Sequence, residues 1–412
     1  MITRLQGIEH TFVKDDQAIA ITSLALDRLG VWCGLTGGRH CLVRFDLKSK
    51  QFEPAVDVFP WVDDCSQVVL RKIHNALGCL SDGRLVFGEG ILYTWDGIPF
   101  ELGDDRNTNH MFERRRQCGA PKLQMERLGP SNLELFDMRW MSGGKIQIYD
   151  PRTKTIEPAG QIQPFNYVQS MVVDSRNDRA YGHTLGDCHF FVVDLKRKTV
   201  EDHGRISTFA FHNLVVAPDG VVYGAWIDFD LENKLRVLRF DPRKGYLERL
   251  KAVYLDDPGP RVQGNRGIDQ WLVHSSGDLY MGMAGNGFLY RFEVARLRLH
   301  EIGRIGIGGR VTSMVEDEEG CILFSAGFPV MNVGRYDPKR GLVEDFGPVT
   351  DRYSKIYFHG AVYRDRTLYL AETDSGVASL WEVPIPDRSS VSSTPRSPGS
   401  KGDGRRSSGT VE

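Results

Sequence analysis

The feature that most constrains the fold is a short unit that recurs along the chain. Each copy reads as an apolar strand, a turn with Asp or Gly, a second strand, a loop, a third strand that ends in an aromatic residue followed by Asp, and a fourth strand that often closes on Gly. The clearest copies cover residues 167–204, 211–250, 266–303 and 310–347. Because one such unit cannot bury its apolar residues alone, the copies are expected to pack side by side.

Three weaker copies bring the set to seven. They cover 21–56, an interrupted unit from 71 to 160, and 355–386, which supplies only three strands. The N-terminal segment RLQGIEHTF precedes the first copy and can supply the missing outer strand of the last one. This pairing would close a ring and remove the exposed sheet edges of an open array. The sequence therefore predicts an all-β fold, a seven-bladed β-propeller of residues 1–386 closed by an N-terminal outer strand.

Two segments lie outside the repeat. Residues 91–142 interrupt the second blade between its second and third strands and contain Arg114, Arg115 and Arg116. These arginines form either a lid that recognises an acidic ligand or an ordinary solvated surface, and the sequence leaves both readings open. The tail 387–412 is rich in Ser, Pro, Gly and Arg, and it is predicted to be disordered because it cannot bury enough apolar surface.

Charge and cysteine content narrow the function classes. The net charge of -2 gives no basic field, so neither a nucleic acid nor an anionic membrane is an expected partner. No apolar run is long enough to span a bilayer, and the first residues do not read as a secretory signal. The seven cysteines are scattered without a CxxC pair, which favours free thiols in a reducing compartment. We therefore expect a cytoplasmic protein, and its oligomeric state stays open.

One residue near the start of each innermost strand falls in register when the seven units are aligned. These seven residues, called the ring residues below, are Thr22, His74, Gln169, His212, Asp269, Thr312 and His359. Innermost strands line the central channel of a propeller, where a blade that only packs would use Val, Ile or small residues. Polar side chains in a wet channel can simply hold water. Three histidines among the ring residues, out of 11 in the chain, favour a shared ligand or metal.

Further candidates lie close to the same face. His183 falls in the segment GHTLGDCHF, which is expected to be the loop between the second and third strands of blade 3. Arg266, Arg310, Tyr353 and Tyr357 each come just before an innermost strand. Such groups can hold a carboxylate or donate a proton, and each can equally be a solvated loop residue.

The three ring histidines also suggest a metal site. His74, His212 and His359 come from blades 2, 4 and 7, so their side chains could meet near the channel axis. Neutral imidazoles suit a borderline divalent ion such as manganese or zinc, with Asp269 or Gln169 and water as further ligands. Without a metal, three close histidines would disfavour one another's protonation and leave a base ready.

The blade sequences also resemble a known group of proteins. GGKIQIYDP, GDCHFFVVDL and GNGFLYRFE are similar to the blade phrase GGHLYRYDP of bacterial seven-bladed propeller proteins, and the likeness extends over residues 1–386. The architecture is similar to that of the propeller polysaccharide lyases, among them ulvan, rhamnose–glucuronate and oligogalacturonate lyases. This resemblance implies an active face with His, Tyr and Arg, in some members with a divalent metal bound by His.

The expected function is therefore elimination from an acidic, uronate-containing oligosaccharide. This reaction needs a base for the proton next to the carboxylate, a cation for the enolate and an acid for the leaving oxygen. We expect His212 or His183 as the base, Arg266 or Arg310 at the carboxylate, and Tyr357 or His74 as the acid. Gln169, Tyr353 and the three insertion arginines would bind the substrate.

Two alternatives remain. In the first, the propeller is not catalytic and binds a ligand or a partner protein through the same face, which needs no poised base. In the second, the histidines hold an iron ion, as in carotenoid oxygenase propellers, although no further motif of that family is present.

Overall fold

Short antiparallel strands make up most of the described part of the chain. The structure is a computed structural model. It describes residues 5–12, 18, 20–37, 41–59, 69–93, 143–164, 166–185, 188–207, 214–227, 234–256, 267–306, 308–373 and 378–387. Within these ranges there are strands β1 to β30 and one 3₁₀ turn at Val294–Arg296.

Blades 1 to 4 follow one another along the chain, each with its strands in order from the inside outward. Blade 1 contains β2 (Ala20–Leu26), β3 (Gly30–Thr36), β4 (Leu42–Asp46) and β5 (Gln51–Phe52). Blade 2 contains β7 (Leu77–Cys79), β8 (Leu85–Gly88), β10 (Lys145–Asp150) and β11 (Thr155–Gln161). Blade 3 contains β12 (Tyr167–Asp174), β13 (Arg179–Leu185), β14 (His189–Asp194) and β15 (Thr199–Arg205). Blade 4 contains β16 (Val215–Val216), β17 (Val222–Ile227), β18 (Lys234–Asp241) and β19 (Tyr246–Asp256).

The last three blades complete the ring. Blade 5 contains β20 (Ile268–Val273), β21 (Leu279–Met283), β22 (Phe288–Glu293) and β23 (Arg298–Arg304). Blade 6 contains β24 (Arg310–Glu316), β25 (Ile322–Gly327), β26 (Met331–Asp337) and β27 (Leu342–Pro348). Blade 7 contains β28 (Phe358–Arg364), β29 (Thr367–Glu372), β30 (Ser379–Pro384) and, as its outer strand, β1 (Ile8–Thr11). The predicted seven-bladed propeller is confirmed.

The N-terminal strand closes the ring, as expected from the sequence. β1 pairs antiparallel with β30, with Ile8 opposite Glu382 and Thr11 opposite Ser379. The Ser379 hydroxyl donates a hydrogen bond to Glu9 at 2.9 Å. Lys50 of blade 1 forms an ion pair with Glu382 at 2.6 Å, so blade 1 is fastened to the closing blade.

Deletion of residues 1–12 should therefore destabilise the protein by several kcal/mol. The deletion removes the strand that covers the edge of β30, and it uncovers Trp381, which is fully buried next to Gly7. Urea unfolding followed by tryptophan fluorescence measures this loss. Deletion of residues 390–412 is the control and should leave the unfolding midpoint unchanged. Equal midpoints for the two truncated proteins would contradict the closing role of β1.

The core is divided among the contacts between blades. Seven apolar clusters are found, one between each pair of neighbouring blades. Since both faces of a blade are covered, a strand can be buried at every residue, as β3 is. The blades thus form a rigid frame around the channel.

Side chains at the turns also link neighbouring blades. The Tyr363 hydroxyl of blade 7 donates a hydrogen bond to Glu318 of blade 6 at 2.5 Å. This bond lowers the pKa of the Glu318 carboxyl. Burial, together with the same bond, raises the pKa of the Tyr363 phenol. The stabilisation from Glu318 is present above the pKa of the carboxyl in the unfolded chain and is lost as the pH falls through the lower folded value. The stabilisation from Tyr363 is lost at alkaline pH, as the pH rises through the raised folded value.

Replacement of Tyr363 by Phe should lower the free energy of unfolding at neutral pH by about 1 kcal/mol, because Glu318 is solvent-exposed. The difference from the wild type should vanish in acid, once Glu318 is protonated in both states. Thermal unfolding as a function of pH tests this, with Tyr246→Phe at an exposed tyrosine as the control. A difference that persisted in acid would show that the hydrogen bond to Glu318 is not the cause.

An additional two-stranded ribbon leaves the second blade. β6 (Val69–Lys72) pairs with β9 (Gly90–Tyr93), and Thr36 at the end of β3 pairs with Lys72. The ribbon therefore rises from the edge of the blades at which the innermost strands begin. Residues 94–142 connect β9 to blade 2 and lie outside the described residues. Among the described residues, no helix has the length and apolar character needed to cross a membrane.

Candidate functional site

The innermost strands carry a β-bulge at the ring residues. The register of the inner strand against its neighbour shifts by one residue in blades 1, 3, 5, 6 and 7. The unpaired residue in each case is a ring residue, namely Thr22, Gln169, Asp269, Thr312 and His359. A bulge leaves its extra residue out of the ladder and re-aims its side chain. The alignment of repeats thus identified positions that the backbone treats alike.

The two remaining ring residues are His74 and His212. His74 lies between β6 and β7, and the neighbouring Asn75 adopts a left-handed backbone conformation with φ 45°. His212 lies outside the described residues. Described ring residues are all buried.

Several ring residues bind the next blade through polar atoms. Thr22 Oγ1 donates to the carbonyl oxygen of Ile73 in blade 2 at 2.8 Å. His74 Nδ1 lies 2.8 Å from the carbonyl oxygen of Gln169 in blade 3. A carbonyl oxygen only accepts hydrogen bonds, so Nδ1 carries the hydrogen, and in the neutral ring Nε2 holds the lone pair. This contact fixes both the tautomer and the orientation of His74.

Two of the three predicted metal-binding histidines are brought together. The ring centroids of His74 and His359 are 4.7 Å apart, with the planes tilted by 31°. Their blades, 2 and 7, flank blade 1, where the ring residue is the short Thr22. A small side chain between them lets the two imidazoles meet.

A buried ion pair links the ring residue of blade 5 to blade 6. Arg310 donates from Nε to Asp269 Oδ2 at 2.6 Å and from Nη2 to Oδ1 at 2.7 Å. The guanidinium carbon lies 5.0 Å from the centroid of the Tyr357 ring. Arg310 thus joins blades 5, 6 and 7. Asp269, expected as an additional metal ligand, is committed to Arg310, and Arg310 already holds a carboxylate of the protein itself.

The structure corrects the expected position of His183. This residue lies within β13, opposite Ser170 of β12 and Phe190 of β14, and it is fully buried. It is not in a loop, because Tyr167 and Val168 extend β12 and pair with Leu185 and Thr184. The second strand therefore continues past His183.

Tyr353 also lies elsewhere than expected. Its hydroxyl donates to Glu9 of β1 at 2.6 Å, and its ring packs edge-on against Trp381 with a centroid distance of 6.2 Å. The closing strand supplies the acceptor, so Tyr353 faces β1 instead of the channel mouth. Its predicted role in substrate binding has no support from this position.

The other predicted site residues fall into two groups. Tyr357 is buried beside Arg310, and Gln169 is the bulged residue whose carbonyl oxygen accepts from His74. Outside the described residues lie His212, Arg266, Arg114, Arg115 and Arg116, so their roles stay predictions.

The sequence analysis did not single out two further buried polar residues, Lys72 and Tyr167. Arg310 and Tyr357 each lie two residues before a ring residue, and the same offset in blades 2 and 3 gives Lys72 and Tyr167. Both are buried, with exposed fractions of 8% and 1%. A polar residue two positions before the ring residue recurs in blades 2, 3, 6 and 7, and this recurrence could have identified both residues from the sequence.

No metal centre is evident among the residues that the structure describes. They contain no group of three or more His, Cys, Asp or Glu side chains able to hold a metal ion. The manganese or zinc site stays a prediction, since His212, its third proposed ligand, is not described. The five described cysteines, Cys33, Cys41, Cys79, Cys188 and Cys321, are free thiols.

Comparisons with known proteins show the fold and not the activity. No protein-family model matches the chain. No curated protein matches it either. Virginiamycin B lyase from Staphylococcus aureus is similar in structure, with a TM-score of 0.60, 11% identity, and coverage of 93% of this chain and 100% of the lyase.

Other solved structures share the fold. A catalytically inactive His-to-Ala variant of the same lyase with quinupristin has a TM-score of 0.58, 10% identity and coverage of 93% and 100%. The extracellular domain of a putative one-component system from B. thetaiotaomicron has a TM-score of 0.53, 11% identity and coverage of 92% and 40%. A chain of a mitotic checkpoint complex has a TM-score of 0.56, 12% identity and coverage of 93% and 92%. The fold is thus similar to that of a lyase, of an extracellular domain of a putative one-component system and of a chain in a checkpoint complex.

Proposed function

We propose that this propeller is a lyase that cleaves acidic, uronate-containing oligosaccharides by β-elimination at the channel mouth, with His74 as the base. The observation that carries the proposal is the hydrogen bond from His74 Nδ1 to the carbonyl oxygen of Gln169 at 2.8 Å. A base needs a lone pair in a fixed direction, and this bond leaves Nε2 as the basic atom. The proposal moves the base from His212 or His183 to His74, because only His74 has this geometry among the described candidates.

The reaction balances as follows. Nε2 of His74 takes the proton at C5 of the uronate ring, and the C–H electron pair passes into the carboxylate as an enolate. Collapse of the enolate forms a C4=C5 double bond and breaks the C4–O bond. The departing oxygen takes a proton from an acid, for which Tyr357 is the candidate because it precedes His359, the neighbour of His74.

The structural neighbours support a lyase as far as fold can. Virginiamycin B lyase shares the propeller, and replacement of one of its histidines gives a protein described as catalytically inactive. Identity is too low to transfer a substrate, so the uronate substrate rests on the resemblance to the propeller polysaccharide lyases.

A non-catalytic binding propeller is the second candidate. The observation in its favour is that Thr22, His74 and Arg310 all form hydrogen bonds to neighbouring blades, as residues with a purely structural role would. The extracellular domain of the one-component system and the checkpoint-complex chain have a similar fold in other settings.

Incubation of the full chain with galacturonate and glucuronate oligosaccharides separates the two candidates. A lyase releases products with a conjugated C4=C5 bond, which appear as new ultraviolet absorbance and as a vinyl proton signal in NMR spectra. If calorimetry detects binding of an oligosaccharide and the oligosaccharide is not cleaved, the non-catalytic propeller is favoured. Absence of both product and binding across the set would refute the proposed substrate class.

A further inference from the structure

Charged residues are distributed unevenly over the two faces of the ring. The third strand of an antiparallel blade runs in the same direction as its innermost strand, so the turn after the third strand lies at the face opposite the channel mouth. These turns in blades 1 to 6, called the rim turns below, cover residues 46–50, 150–154, 194–198, 241–245, 293–298 and 337–341. Together they contain thirteen Lys or Arg residues and only six Asp or Glu residues, although the whole chain has a net charge of -2.

The acidic residue of a rim turn holds the turn together. Asp46 Oδ1 accepts hydrogen bonds from the backbone N–H groups of Lys48 at 3.1 Å and Ser49 at 2.6 Å. The corresponding aspartate accepts backbone N–H groups in the rim turns of blades 2, 3, 4 and 6. Because the carboxylate faces back into its own turn, the basic residues that follow it are left at the surface.

Five rim turns present an exposed cation that takes part in no ion pair with another described residue. These cations are Lys48, Lys154, Lys244, Arg298, Lys339 and Arg340. In the sixth rim turn, that of blade 3, Arg197 is 82% exposed and approaches Asp194 only to 3.9 Å. Every blade with a rim turn therefore directs positive charge into solvent at the same face.

Exposed apolar side chains are found at this face as well. Four large hydrophobic side chains are exposed among the described residues, namely Ile8, Leu29, Tyr246 and Val273. Leu29 lies in the turn between β2 and β3, Val273 ends β20, and Tyr246 directly follows the rim turn of blade 4. All three positions belong to the face opposite the mouth, since the turn between the first and second strands also lies there. Exposed apolar groups among cations are typical of a surface that contacts an anionic partner with an apolar layer.

Blades 1 to 4 form the more basic part of this face. The rim turns of these four blades contain nine Lys or Arg and four Asp or Glu residues. In blade 6, by contrast, the turn nearer the axis carries four consecutive acidic residues, 316–319. Leu29 and Tyr246 lie in blades 1 and 4, so the apolar groups accompany the basic part.

The arrangement favours a flat anionic surface over a linear polyanion. The rim turns follow the circumference of the face, so a nucleic acid that crosses it would reach the turns of only a few blades. A lipid surface can contact the turns of all four basic blades at once, and its anionic headgroups attract Lys and Arg. Leucine and tyrosine side chains gain by entering the headgroup layer, whereas phosphates of a nucleic acid offer them nothing comparable.

We propose that the rim turns of blades 1 to 4, together with Leu29 and Tyr246, form a docking surface for an anionic phospholipid membrane. The protein then lies on the membrane without crossing it, and the channel mouth faces the solution. The proposal does not depend on the elimination reaction, because the docking surface and the channel mouth are at opposite faces.

Sedimentation of the full chain with vesicles tests the charged part of this surface. The protein should bind vesicles of equimolar phosphatidylcholine and phosphatidylserine but not vesicles of phosphatidylcholine alone. Binding should weaken as salt rises, since the Debye length falls from about 10 Å at 0.1 M to about 3 Å at 1 M ionic strength. Combined replacement of Lys48, Lys154 and Lys244 by Gln should weaken binding by about 10²-fold, because each lysine near an anionic membrane contributes about fivefold.

A matched variant removes the same charge from the mouth face. Arg304 ends the outer strand of blade 5, and Arg352 and Lys355 lie in the connection between blades 6 and 7. Combined replacement of these three residues by Gln should leave binding to the anionic vesicles close to that of the wild type. Equal losses in the two triple variants would show that only the overall charge matters, and would overturn the proposal.

The apolar part of the surface is tested by replacing Leu29 and Tyr246 with Ser. This double variant should bind the anionic vesicles about tenfold more weakly and keep the salt dependence of the wild type. Wild-type protein that does not bind the anionic vesicles would refute the docking surface. Binding to a DNA duplex but not to the vesicles would assign the basic rim to a nucleic acid and would equally overturn the proposal.

Discussion

Replacement of His74 by glutamine is expected to lower kcat/KM on uronate oligosaccharides by about 10²–10⁴-fold, the usual contribution of a positioned general base. Glutamine can still donate a hydrogen bond to the carbonyl oxygen of Gln169, so the contact between blades 2 and 3 is preserved. It has no lone pair of comparable basicity. Initial rates of unsaturated product formation measure the loss, and circular dichroism checks that the fold survives.

A control variant sharpens this result. His300→Gln changes a histidine on the outer strand of blade 5, bonded to Glu293 at 3.2 Å, and should leave the rate unchanged. Full activity of His74→Gln would remove this residue from the mechanism.

The second large effect is expected at the buried ion pair. Replacement of Asp269 by Asn should lower the free energy of unfolding by about 3–5 kcal/mol, because it leaves the Arg310 charge buried without its counter-ion. The two side chains are only 5% and 1% exposed, so water cannot replace the lost partner. Urea unfolding curves of the wild type and the variant give the difference.

A double variant tests whether the unpaired charge is the cause. Asp269→Leu combined with Arg310→Met removes both charges and should recover most of the stability, since buried pairs can often be exchanged for apolar residues of similar size. Asp278→Asn breaks the exposed contact of Asp278 with Arg291 at 3.8 Å and should cost less than about 1 kcal/mol. A loss below that value for Asp269→Asn would show that the pair is not needed.

The sequence predicted the frame of the molecule because strand and turn chemistry repeats with the blades. Seven units, the three-stranded last copy and the spare N-terminal segment led to the pairing of β1 with β30. The ring residues were also found, since their alignment depends only on the repeat. In five blades they prove to be the bulged residue, a feature that a simple alternation of apolar and polar residues does not reveal.

The site was less predictable because it depends on contacts between distant blades. Arg310 was read as a free cation, and only the fold shows that Asp269 of the preceding blade holds it. Tyr353 was read as a channel residue, whereas β1, far away in the sequence, supplies its acceptor. His183 was assigned to a loop because its segment is rich in Gly and Asp, and the pairing of β12 with β13 overrode that composition.

The bulges have a consequence for how such a ring can change. A regular strand residue contributes to the ladder, so its replacement disturbs pairing as well as chemistry. The extra residue at Thr22, Gln169, Asp269, Thr312 or His359 makes no such contribution. Each of these five blades therefore offers one position that can receive a new side chain while the backbone ladder around it stays as it is. In such a propeller these positions can change one at a time, so an activity can be gained or lost while the pairing of the strands is kept.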